Sequence, residues 1–322
     1  MKRLLFLALV AASPFGAASA FGETIFGLDM SNRIYRFDSA TPGALTFLNG
    51  GTAVPGLQVN EFLVAIDFRP VATNSTAAAF NGVLYALSGS NRLYTINTTT
   101  GAATQVGVNG GFVLNGNAFG ADFNPVVDRL RVVSEADQNI RLNPNDGTLT
   151  ATDVPLAYAS GDPGVGINPN VVGAAYTNNF GGATTTTLYG IDSGRDVVVR
   201  QGGLNGSPSP NGGQLTTIGS LGANTFDEVG FDISGLTGSA YASLTTRLGP
   251  LDTSSDLYTI DLNTGTAALV GSIGAGGGPG AFVTRDIAAG VGIAVPEPET
   301  IGLLALGAVG LIGRKSRSLS VK

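Results

Sequence analysis

The feature that most constrains this chain is a hairpin that recurs along it. Residues 33–38 read Arg-Ile-Tyr-Arg-Phe-Asp, residues 92–97 Arg-Leu-Tyr-Thr-Ile-Asn and residues 256–261 Asp-Leu-Tyr-Thr-Ile-Asp. The last two run into turns ending at Gly101 and Gly265, and the first reaches Pro42-Gly43. Each is followed by a second alternating stretch, at 44–48, 103–108 and 267–270. Apolar alternation, a glycine-bearing turn and renewed alternation together signal a β-hairpin. Degenerate copies occupy 139–152 and 196–218, the latter interrupted by a Gly/Ser/Pro/Asn run at 202–213 that reads as a flexible loop.

Two further strands precede four of these hairpins. The first members fall at 63–68, 119–123, 171–176 and 228–233, and their partners at 83–87, 129–133, 187–191 and 239–244. The equivalent positions Asp67, Asp122, Ala175 and Asp232 are 55, 53 and 57 residues apart. Four strands per unit at a near-constant period predict an all-β fold, a β-propeller. The segment 23–49 supplies only three strands, and residues 282–287, containing Asp286, are the natural donor of the fourth. The expectation is five four-stranded blades, the first completed from the C-terminal side, which hides both sheet edges. An open sandwich or a solenoid of the same hairpins is the competing architecture.

Composition narrows the chemistry. The 322 residues include no cysteine, histidine or tryptophan. Disulfides, thiolate nucleophiles, imidazole bases and His- or Cys-based zinc, haem or iron–sulfur sites are therefore excluded. Residues 21–295 hold eleven arginines, no lysine and 21 acidic residues, a net charge of −10. Such a surface repels phosphate backbones, so nucleic acid is not an expected partner.

The two ends read as addresses. Lys2 and Arg3 precede an apolar run at 4–12, and small residues at Ala18 and Ala20 predict a signal peptide over 1–20 with cleavage after Ala20. Near the other end stand Pro296, Glu297 and Pro298, then thirteen uncharged residues at 301–313, then Arg314, Lys315 and Arg317. Thirteen helical residues reach about 20 Å, short of a hydrocarbon core of about 30 Å. This three-part ending resembles the PEP-CTERM sorting signal of exported bacterial proteins. The resemblance implies an exosortase as a processing partner, besides signal peptidase, and a transient membrane anchor. It assigns 291–300 as a linker bearing the Pro-Glu-Pro motif and 301–322 as the hydrophobic segment and basic tail, both ends as short helices outside the fold. Between them, the block from Phe119 to Ser134, Gln138 to Asn143, and the Leu-Tyr-Thr-Ile-Asn-Thr-Thr-Thr-Gly run resemble the family DUF4394 over 21–290. That resemblance implies an exported, propeller-like protein and carries no established activity.

Candidate chemistry is sparse. Asp67, Asp122, Asp232 and Asp286 share one repeat position, so a closed propeller gathers their carboxylates near the axis. Converging oxygens suit Ca²⁺. The competing reading has each aspartate accepting backbone N–H groups and fixing its blade. Asp128, Arg129, Arg131, Glu135 and Arg141 crowd the third blade, as cross-strand ion pairs or as a patch for an anionic sugar or carboxylate. Tyr35, Tyr94 and Tyr258 share one repeat position and Tyr85, Tyr189 and Tyr241 another, which favours packing between blades over a carbohydrate platform. Residues 143–147 read as a plain turn. Adjacent Asp227 and Glu228 point to opposite faces of a strand and form a poor catalytic pair. No catalytic residue is assigned. The expectation is a non-enzymatic exported protein of the envelope or polysaccharide matrix, bound to polysaccharide or an envelope protein. The alternative is a calcium-dependent propeller hydrolase or lactonase using the axial aspartates.

Overall fold

Inner strands of a propeller are covered on both faces, outer strands on one or neither, and the burial along this chain follows that gradient. The computed structural model describes residues 22–71, 75–108, 110–247, 253–274 and 283–293. The predicted signal peptide with Ala18 and Ala20, Pro296, Glu297, Pro298, Arg314, Lys315 and Arg317, and both terminal helices lie outside them. Blade I holds β1 (Thr24–Asp29), β2 (Ile34–Asp38) and β3 (Thr41–Phe47). Blade II holds β4 (Leu63–Arg69), β5 (Val83–Ser88), β6 (Arg92–Ile96) and β7 (Ala103–Val106). Blade III holds β8 (Phe119–Asn124), β9 (Arg129–Ser134), β10 (Asn139–Asn143) and β11 (Thr148–Thr152). The next six strands are β12 (Ala157–Tyr158), β13 (Val171–Tyr176), β14 (Phe180–Gly181), β15 (Leu188–Asp192), β16 (Val197–Gln201) and β17 (Gln214–Ser220). Blade V holds β18 (Val229–Ile233), β19 (Ala240–Arg247), β20 (Thr253–Ile260) and β21 (Ala267–Ser272), and β22 (Thr284–Ala288) and β23 (Gly292–Ile293) follow.

Each blade is built on four antiparallel strands, and β22 pairs with β1, Phe26 opposite Ala288 and Leu28 opposite Asp286. The C-terminal strand thus supplies the innermost strand of blade I, as the missing fourth strand of 23–49 predicts. The ring closes through five such sheets, which excludes the open sandwich and the solenoid. Blade IV has order β13-β15-β16-β17-β12, its fifth strand β12 adding parallel to β17. A two-residue parallel pair, β14 with β23, ties the chain after β22 back to blade IV. Neither short strand is legible in the sequence, because two residues carry no period.

The five innermost strands are β22, β4, β8, β13 and β18. Every residue of β4, β13 and β18 is buried; β13 reads as a continuous small and apolar run, and β4 and β18 as apolar runs interrupted by Asp67 and Arg69 and by Asp232. Apart from Pro42, every residue of the outer β3, β7, β11 and β21 is half-buried or exposed. Hydrophobic clusters sit between neighbouring blades around the whole ring. Phe26, Leu28, Ile66 and Phe68 join blades I and II. Tyr85, Leu87, Phe123 and Leu130 join II and III, and Val133, Leu156, Tyr176 and Val199 join III and IV. Val172, Ile191, Phe231 and Leu244 join IV and V; Ile25, Tyr35, Tyr241 and Ile287 close V onto I. Five of the six repeat tyrosines are buried in these seams, and Tyr258 packs against one of them, which is the packing role that their spacing favours.

The inner strands approach so closely that side chains are excluded at some positions. A Cβ on Gly230 of β18 would lie 2.5 Å from Ile287 N of β22, and one on Gly120 of β8 would lie 2.6 Å from Ala174 N of β13. Both clashes are with neighbouring backbone, which cannot rotate away. Gly230→Ala should therefore push blade V from blade I and cost about 1–3 kcal/mol, the usual penalty of overpacking. Urea unfolding measures it, and an unchanged midpoint would contradict the closeness of this seam.

Candidate functional site

The axial aspartates come together as their repeat position predicts, and their contacts follow one rule. One carboxylate oxygen accepts the N–H of the following residue, and the other accepts an N–H of the next blade. Asp67 takes Phe68 N at 2.6 Å and, from blade III, Phe123 N at 2.7 Å. Asp232 takes Ile233 N at 2.6 Å and, from blade I, Ala289 N at 2.6 Å. Asp286 takes Ile287 N at 2.9 Å and, from blade II, Ile66 N at 2.8 Å. Asp122 reaches Tyr176 N of blade IV at 3.2 Å, but Phe123 N is already given to Asp67. Its Oδ1 is consequently buried with no N–H donor, and the Asp122 carboxyl meets the Asp232 carboxyl instead. Ala175 of blade IV has no carboxylate, so the relay is open from IV to V. That seam is instead bridged nearer the surface, where Asp227 accepts from Asn170 Nδ2 and Ser193 Oγ, both at 2.7 Å.

Three of the four carboxylates form a cluster: ligand oxygens of Asp67, Asp122 and Asp232 lie within 4.8 Å of one another. Asp286 stands beside this trio with both oxygens engaged by backbone N–H groups. None of the four is more than 5% exposed. Burial in a poorly polarisable interior disfavours the charged form. It raises the Asp67, Asp122 and Asp286 carboxyls well above the ordinary aspartate value, and Asp232 to about 6. Neighbouring negative charge raises Asp67 and Asp122 further. The chemistry open to such a group is to hold protons, hold a cation, or tie backbones together. The gap beside Asp67, lined by Ala65, Tyr85 and Ala121, has no room for a water molecule.

The third-blade charges divide into separate pairs. Arg69 of β4 reaches across a seam to Asp128 through Nε at 2.7 Å and Nη2 at 2.5 Å. Glu135 accepts Asn117 N at 2.5 Å and Ala118 N at 3.0 Å, holding a loop. Arg129 bonds the Asp128 carbonyl. Only Arg131 and Arg141 converge, on Asp153, a residue that sequence reasoning did not single out because it lies past β11 and gains its partners through cross-strand register. Arg131 is fully buried and also donates to the Tyr176 hydroxyl, Asn139 and Asn211.

Above this pair opens a cavity of about 230 Å³ between blades III and IV. Its walls are the β8–β9 turn, residues 184–186 and the 202–213 run. The last is a correction to the flexible-loop expectation. It folds into two 3-10 turns, Leu204–Gly206 and Pro210–Gly212, the second capped by Ser209. Gly203 N bonds Pro208 O at 2.7 Å, and Pro210 O accepts Gln201 Nε2 at 2.8 Å. Glycine and proline content marks a turn, and these bonds, set by the neighbouring strands, make it a single shape.

Fold and axis together define a five-bladed, all-β propeller closed by its C-terminal strand. A family model described as a domain of unknown function, DUF4394, matches residues 33–281, and the chain belongs to that family. The PEP-CTERM protein-sorting motif matches residues 294–318, marking an exported, surface-sorted protein processed by an exosortase. No curated protein matches the chain. Similar solved structures include a glutaminyl cyclase of Myxococcus xanthus, at 13% identity and TM-score 0.37, covering 74% of this chain and 95% of that one. Another is PorZ, a surface component of the type-IX secretion system of Porphyromonas gingivalis, at 12% identity and TM-score 0.34, covering 78% of this chain and 28% of that one. At these scores neither likeness bears on function.

The raised carboxyls set a pH dependence. In the folded chain they keep protons that unfolded aspartates release near pH 4, so folding is favoured at low pH and that advantage is lost as pH rises through the folded values. With divalent cations removed, the unfolding temperature should be higher at about pH 5 than at about pH 7.5, and Asp232→Asn should flatten part of the slope. A rise with pH over that window would refute the assignment. Separately, Arg131→Ala leaves Asn211 Oδ1 and the Tyr176 hydroxyl without the donor they share, while Arg141 still holds Asp153, and should cost about 1–3 kcal/mol in denaturant unfolding, as leaving a buried polar group unpaired does.

Proposed function

We propose that this chain is a non-enzymatic binding protein of the bacterial envelope or extracellular polysaccharide matrix. The observation that carries this reading is the state of the axial carboxylates. General acid–base or nucleophilic work needs a carboxyl that touches substrate, and these four are sealed between blades with seven of their eight oxygens on backbone N–H groups. The sorting motif supplies the destination. Binding on the polar outer loops, with a sealed axis as scaffold, fits that destination and the missing nucleophile and base types. The exported protein should co-sediment saturably with its host's own extracellular polysaccharide, and a calcium chelator should leave that binding intact. No sedimentation with the polysaccharide would remove the matrix from this reading.

One observation favours a second element, a structural cation. Asp122 Oδ1 is buried without an N–H donor beside two other carboxylates, and a buried acceptor left without a donor costs about 1–3 kcal/mol. A Ca²⁺ held by Asp67, Asp122 and Asp232 would satisfy it and neutralise the cluster. Calcium at a hundredfold excess over its dissociation constant should then stabilise the fold by about 2.7 kcal/mol, and Asp122→Asn should erase the response. An acid-digested protein free of metal, with melting unmoved by calcium or chelator, would leave shared protons as the neutralising agent.

A further inference from the structure

We infer that the cavity between blades III and IV is a binding site for one carboxylate-bearing sugar, of the uronic acid class. This rests on the matrix-binding reading above and names the ligand chemistry for it.

The first argument is charge. Arg131 Nη1 lies 3.0 Å from Asp153 Oδ2, and Arg141 grips the same carboxylate through Nε at 2.7 Å and Nη2 at 2.8 Å. Two guanidinium groups thus share one carboxylate, leaving one positive charge at the cavity. Among the described residues, the charged or titratable groups acting on Arg141 are Asp153 and Tyr176. Arg69 and Asp128 nearby cancel each other. In a region of net charge −10, this local excess is a place where an anion gains rather than loses. Arg131 is enclosed by its partners, whereas Arg141 is partly exposed where it lines the cavity, so Arg141 is the residue that meets the ligand. Guanidinium pairs with carboxylate through parallel N–H bonds, which suits a planar acid group.

The second argument is the wall. Thr184, Thr185, Thr186, Asn205 and Asn211 line the cavity. Val126 and Val127 line it too and are 41% and 51% exposed. A lining that mixes hydroxyl- and amide-bearing residues with a small apolar patch matches a sugar ring, with hydroxyls at its rim and C–H bonds on its face. The third argument is size. Drug-sized ligands need about 300–1,000 Å³, so 230 Å³ admits one ring and not an oligosaccharide. The occupant is a free acid sugar or a single uronate at a chain end or side branch.

The test titrates the exported protein with glucuronate and, separately, glucose, by calorimetry. The expected result is one saturable glucuronate site, at least about tenfold tighter than glucose, weakening as salt rises. Arg141→Gln should reduce glucuronate affinity about tenfold or more. Val127→Asp, an exposed change that leaves the buried network alone, should do the same by repulsion and spare any weak glucose binding. Equal binding of the two sugars, or glucuronate binding unchanged in both variants, overturns the site. Polysaccharide co-sedimentation that survives both variants keeps the matrix reading and sinks this site. Glucuronate binding lost in both variants, without polysaccharide sedimentation by the wild type, keeps the site for the free acid and sinks the matrix reading.

Discussion

Everything at the centre of this propeller depends on a carboxylate that accepts two backbone N–H groups, one from its own strand and one from the next blade. The inner strands converge where there is no space for ordinary side-chain packing, as the backbone contacts at Gly120 and Gly230 make plain. A strand there has N–H groups facing the axis and no neighbouring strand to take them. An aspartate is short enough to stay inside that ring and brings two acceptors. A hydrogen bond contributes about 0.5–1.5 kcal/mol net, so four links from blade to blade amount to a belt. The hydrophobic seams outside the belt then pack surfaces that it already holds in register.

The belt carries a cost, since burial and mutual repulsion disfavour the charged carboxylates and make them hold protons. The chain manages this by spreading the aspartates over four blades and omitting the fifth, where Ala175 stands. Blade IV is also where the fold departs most from its repeat, with an extra parallel strand, a long folded loop and the open cavity. The missing carboxylate and these additions occur in the same blade. There the seam to blade V relies on apolar packing and on Asp227, and the seam to blade III is held by Arg131 and its partners.

Repetition made most of this architecture readable. The hairpins ending at Gly101 and Gly265, the equivalent Asp67, Asp122 and Asp232, and the strand around Asp286 all announce their places because each recurs. What recurs is what every blade needs, namely core, turn and belt. Features that occur once were hidden. Strands β12 and β14 are two residues each, the 202–213 run has loop composition but one shape, and Asp153 looks like any acidic residue after a strand. Their roles come from groups far along the chain: Asn211 from blade IV meets Arg131 of blade III.

The sequence by itself determined the all-β class, the number of blades, the closure by a C-terminal strand and the C-terminal sorting signal, because periodicity and local motifs are properties of neighbours in the chain. Only the tertiary structure decided that three aspartates form a sealed cluster with one oxygen that no N–H reaches, and that two arginines share a single carboxylate beneath a cavity. Both are counts of partners in space. A carboxylate or guanidinium announces its charge in sequence, but whether that charge is cancelled, shared or left over depends on distances that no local pattern encodes.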